Sequence, residues 1–111
     1  MTLRIVIAAL LFATAPTLLA KGNVEAGRQK AQVCQACHGA DGNGTGDGQY
    51  PLLAGQYADY LEKALHDYRS GARDNAIMAG FAATLSDQDI ADLAAFYAAQ
   101  SGPLRNMRGA R

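Results

Sequence analysis

The sequence predicts an all-α fold, and three observations carry that prediction. Runs of alternating β-branched and aromatic residues, the mark of strands, are nearly absent. Three stretches repeat apolar residues at spacings of three and four. Between the first two lies an interval, residues 39–55, whose glycines at 39, 42, 44, 46, 48 and 55 forbid a regular element. At 111 residues the chain has room for one domain, and loops this rich in glycine must wrap something.

The first helix is expected from about Asn23 to Val33. Asn23 is a good N-cap, and Glu25 places a carboxylate in the positive first turn. Gly27 costs a helix interior about 1 kcal/mol, so it either is merely tolerated or permits close approach of a second helix. The second helix, from about Gln56 to Arg69, shows Tyr57, Tyr60, Leu61, Ala64, Leu65 and Tyr68 along one stripe, and Ser70-Gly71 stops it. The third begins at Ser86-Asp87-Gln88-Asp89, a capping box with Asp in place of the usual Glu. Ile90, Leu93, Ala94, Phe96 and Tyr97 form its apolar face, and Ser101-Gly102-Pro103 ends it. Residues 103–111 read as a flexible, basic tail. Asp41, Asn43 and Thr45 superficially suggest a calcium loop, but Leu52 stands where the twelfth-position glutamate is required.

The first twenty residues, MTLRIVIAALLFATAPTLLA, combine one cation, an apolar run and small residues toward Ala20. This is the pattern of a secretory signal, cut after Ala20. The run is shorter than a spanning helix needs and contains Pro16, which argues against an uncleaved anchor. Cleavage would leave 111 − 20 = 91 residues, with nine Lys and Arg against ten Asp and Glu. No basic patch points to nucleic acid and no charge block to a disordered tail. Export implies an oxidising compartment, where thiols tend to pair. A chain this short often needs a staple or a cofactor to complete its core.

Both cysteines lie in VCQACHG, residues 33–39. Cys34, Cys37 and His38 form C-x-x-C-H, the attachment signature for c-type haem. Two thiols one helical turn apart can each add to a vinyl group on one porphyrin edge, and the next residue then lies under the iron. The alternatives fare worse. Structural zinc needs four ligands, and apart from these three only His66 is available without carboxylates. A thioredoxin-type redox pair wants a βαβ context. A plain disulfide across so small a loop stabilises little. Given a haem, the sixth iron ligand has three candidates. His66 sits on the solvated side of the second helix, Met107 lies in the tail, and Met78 lies in DNAIMAGFAATLS, read as a loop between the second and third helices. Met78 is the choice.

Taken together, CQACHG (34–39), YPLLAGQYADYL (50–61), YRSGAR (68–73), the Met78 segment and LSDQDIADLAAFYAAQ (85–100) resemble the small bacterial class I c-type cytochromes. The likeness extends to the single-haem halves of dihaem periplasmic cytochromes. It covers residues 23–100. It implies a cytochrome c fold, three main helices and glycine-rich loops around one haem, attached through Cys34 and Cys37. It implies His38 and Met78 as axial ligands, the Pro51 carbonyl as acceptor for the second His38 ring nitrogen, and Leu53 packed on the haem. It also implies that Gly27 meets Phe96 or Tyr97 where the first and last helices cross. The lysine ring of the mitochondrial relatives is missing, so strong positive steering is not expected. The implied function is a periplasmic electron carrier serving redox protein partners in a respiratory chain, with no catalytic residue and no membrane insertion after cleavage. The second reading is a haem subunit of a larger oxidoreductase.

Overall fold

The computed structural model describes residues 8–13 and 21–107, the last two by backbone alone. Most of the expected signal segment therefore lies outside the described residues, and residues 8–13 have no regular structure. Helix α1 spans Val24–Lys30. Asn23 caps it, its side chain accepting from the Ala26 N–H at 2.9 Å. The chain then tightens into a 3₁₀ turn, Ala31–Cys34, and resumes as the single turn α2, Gln35–His38. Helix α3 spans Ala58–Ser70 and ends on Gly71 at φ +84°, a left-handed position that suits glycine. Helix α4 spans Ala76–Ala82, α5 spans Asp87–Ala99, and α6 spans Pro103–Met107. No strand occurs among the described residues.

Two sequence expectations are corrected here. Met78 lies in helix α4 and not in a loop. Asn75 starts that helix, its side chain accepting from the Met78 N–H at 3.0 Å. The helix's seven residues, AIMAGFA, are apolar on every side and so show no polar face to mark a helical period, and Ile77 is 61% and Phe81 44% exposed. The start of the expected tail is also ordered into α6. The Ser86/Asp89 capping box is complete, both side chains bonding the opposite backbone N–H at 3.0 Å.

Helix α1 crosses α5, and α3 packs against both α5 and α4. At the first crossing a Cβ on Gly27 would lie 2.0 Å from the Asp92 carbonyl oxygen and 2.7 Å from Phe96 Cβ. The glycine that weakens α1 locally is what lets the two backbones touch. Gly27→Ala should destabilise the protein by about 3 kcal/mol, because backbone cannot move aside as a side chain can. A thermal melt within a few degrees of wild type would contradict this contact.

The same crossing is pinned by a buried charge. Asp92 is 3% exposed. It accepts from the Asn23 N–H at 2.8 Å, Lys30 Nζ at 2.6 Å and Gln88 Nε2 at 2.9 Å. Burial alone would raise its pKa. The Lys30 ammonium and the two neutral donors outweigh burial and hold it below the usual 3.8. A carboxylate depressed in this way contributes stability that is fully present above about pH 4 and lost as pH falls through the folded-state value. Asp92→Asn should cost about 2 kcal/mol at pH 7, or about 10 °C in Tm. The gap to wild type should narrow when the melts are repeated near pH 3, and a gap that stays constant would exclude this linkage.

The core is Ala31, Leu61, Leu93, Ala94, Phe96 and Tyr97. It is thin. Ile90 is the only large side chain fully buried among the described residues. The missing volume lies in the site.

Candidate functional site: an apolar cavity lined by two thiols, an imidazole and a thioether

A cavity of about 310 Å³ lies between the Cys34–His38 segment, α3, α4 and α5. The sequence builds its first wall. Cys34 ends the 3₁₀ turn and Cys37 sits in α2, so their three-residue separation puts both half-buried sulfurs on the cavity side. Both are free thiols. Burial pushes the Cys34 thiol above its ordinary pKa, so it is not a poised thiolate.

His38 follows and is 6% exposed. Gly39, at φ +83°, turns the chain immediately afterwards, and the Gly44 N–H returns to donate to the His38 carbonyl at 2.7 Å. On the ring, Nδ1 lies 2.9 Å from the Pro51 carbonyl oxygen. A carbonyl only accepts, so Nδ1 is the donor of this bond and Nε2 is the ring nitrogen not engaged by it. The Tyr50 ring stands edge-on, centroids 6.1 Å apart. Helix α4 brings Met78, half-buried, to the same cavity, and Leu53 lines it as well. The structure thus gathers Cys34, Cys37, His38, Pro51, Leu53 and Met78 around one space. His66 is elsewhere, with Arg69 Nη2 2.9 Å from its Nδ1 and Asp87 4.0 Å away. The Met107 side chain lies outside the described residues.

Sequence reasoning missed three residues here. Asn75 fixes the α4 turn that carries Met78, and its residue type ahead of an apolar run was the available signal. Arg73 lies on the cavity wall, stacked 4.9 Å over the Tyr68 ring and 3.4 Å from the Tyr60 hydroxyl. The Tyr97 hydroxyl is buried without a nitrogen or oxygen partner among the described residues, beside the Cys34 sulfur. Burial holds that phenol above its usual pKa and so protonated. No local pattern announces either of the last two contacts.

These features fit a covalently held haem. Two unpaired thiols face the cavity, an imidazole and a thioether border it, and its wall is largely aliphatic and aromatic. The core is short of the bulk that such a group would supply. The family model described as cytochrome c matches residues 24–99. The chain belongs to the cytochrome c family. Cytochrome c4 of Pseudomonas aeruginosa is 51% identical over 81 residues, 73% of this chain and 40% of that protein. Cytochrome c-554(548) of Halomonas halodenitrificans is 48% identical over 82 residues, 71% of this chain and 98% of that one. The crystal structure of reduced recombinant cytochrome c4 from Pseudomonas stutzeri superposes with a TM-score of 0.68 at 42% identity, covering 73% of this chain and 47% of that one. This cytochrome c domain therefore spans about two-fifths of the c4 chain of P. aeruginosa and nearly all of the shorter relative. Membership and the cysteine pair together specify one c-type haem, attached through Cys34 and Cys37. Among the described residues no helix is long and apolar enough to cross a membrane.

Proposed function

We propose that this protein is a one-electron carrier whose haem iron is ligated by His38 and Met78. The observation that carries the reading is the 2.9 Å contact between His38 Nδ1 and the Pro51 carbonyl. It fixes the tautomer and orients the ring, and it leaves one nitrogen for the metal. When bound, the haem supplies the ferric–ferrous couple. The chain's own residues do the rest. Cys34 and Cys37 retain the group, and Pro51 steadies the imidazole. Leu53, Leu61 and Leu93 line the cavity, and an apolar lining disfavours the more highly charged ferric form. A thioether ligand acts in the same direction and raises the potential. Nothing in the site is assigned acid–base or nucleophilic work.

The reading places the protein in the periplasm, with residues 1–20 as export signal, residues 21–102 as the cytochrome domain and redox proteins as donor and acceptor. Its support is the sequence pattern of the leader. The test is a spectroelectrochemical titration of the exported protein with haem and chain quantified together. One haem per chain and a single one-electron wave are expected. A substoichiometric haem or a two-electron wave would refute the reading. Purification with an equimolar partner would replace the free carrier by a complex subunit.

A further inference from the structure

The family match ends at residue 99, yet the chain continues into contact with both loops that hold His38. The loop following His38 carries Asn43, whose Nδ2 donates to the Ser101 carbonyl at 2.9 Å. Beside it, a Cβ on Gly102 would lie 2.3 Å from Asn43 Oδ1 and 3.2 Å from Ala54 Cβ. Residue 102 is therefore wedged between the loop after His38 and the turn after Pro51. Three residues on, the backbone of Arg105 seats on that turn. A Cβ on Gly55, at φ +76°, would lie 2.6 Å from Arg105 Cβ and 2.7 Å from its nitrogen. Arg105 Nη1 donates back to the Ala99 carbonyl at 3.1 Å, and the Gly55 N–H donates to the Tyr97 carbonyl at 2.9 Å.

The two loops so joined are the ones that fix the imidazole. One returns the Gly44 N–H to the His38 carbonyl, and the other presents the Pro51 carbonyl to the ring. Leu53 and Ala54 donate to the Gly42 carbonyl at 2.8 and 3.1 Å, closing the loops on each other. Loops of this kind open locally, with a free energy below that of global unfolding. Contacts made by the segment that follows α5 add to the cost of that opening. We propose that residues 101–105 are a strap that positions His38, with Asn43 and Gly55 as its two attachment points. The inference rests on the reading of His38 as the iron ligand.

The test uses the full-length haem-loaded protein in its reduced, diamagnetic state. Two variants are compared with wild type: Asn43→Ala, and a chain ending at Gly102. Proton NMR follows solvent exchange of the His38 Nδ1 proton and of the α5 amides from Ile90 to Ala94, which report global opening. The strap predicts that the ring proton exchanges about tenfold faster in both variants while the α5 amides change by less than about twofold. An unchanged ring-proton rate would overturn it. So would a ring proton and α5 amides that accelerate by one common factor, since that is what a merely structural cover produces. Should Asn43→Ala not fold, the shortened chain still decides. Failure of the ligand reading shows separately, because the wild-type His38 ring protons would then lack the strong porphyrin ring-current shifts.

Discussion

Replacing Met78 by alanine is expected to leave the haem attached and the iron accessible. The cysteines hold the group, so the reduced c-type bands persist. The sulfur-to-iron band in the far red of the oxidised protein disappears. The potential falls by on the order of 100 mV, within the span of about 0.8 V that axial ligation controls. The reduced variant is then expected to bind carbon monoxide on mixing, and reduced wild type is expected not to. Asn75 makes this a clean substitution, since its bond to the residue 78 N–H involves backbone and is retained. An unchanged far-red band and potential would remove Met78 from the coordination sphere and turn attention to Met107.

Removing the attachment points has the larger structural effect. The cavity of about 310 Å³ would stand empty in the variant carrying Cys34→Ala and Cys37→Ala. At about 24 cal/mol per Å³ an enclosed void of that size costs about 7 kcal/mol. The open mouth lets the walls collapse, so this is a ceiling. It is nonetheless comparable to the whole stability of a domain, about 5–15 kcal/mol. With Ile90 alone among large side chains fully buried among the described residues, little else holds the helices. The double variant should show weak helical circular dichroism and no cooperative melt. A sharp transition near the wild-type Tm would show that the polypeptide core suffices by itself.

What the sequence disclosed follows from how local each signal was. The caps at Asn23 and Ser86 act within three residues and were readable. So was the stripe of α5, whose buried face includes Ile90, Leu93, Ala94, Phe96 and Tyr97. The C-x-x-C-H run sits on one turn and named its own chemistry. Gly27 became legible only through the family resemblance, because its partner, the Asp92 carbonyl, is 65 positions away (92 − 27). Helix α4 was hidden because it is seven residues long and apolar on every side, so no polar face marks a helical period. The 3₁₀ turn at Ala31–Cys34 interrupts a helix that pattern alone extends unbroken. The seat of Arg105 on Gly55 and the approach of the Tyr97 hydroxyl to the Cys34 sulfur join residues far apart in sequence, which no local pattern encodes.

The most direct measurement is the optical spectrum of the purified, haem-loaded protein, oxidised and then reduced. Ligation of a c-type haem by His38 and Met78 predicts sharp reduced c-type bands together with a weak far-red band in the oxidised state that vanishes on reduction. Haem bands without the far-red feature would mean that Met78 does not bind iron and that the sixth position is open, which would contradict the carrier proposed here.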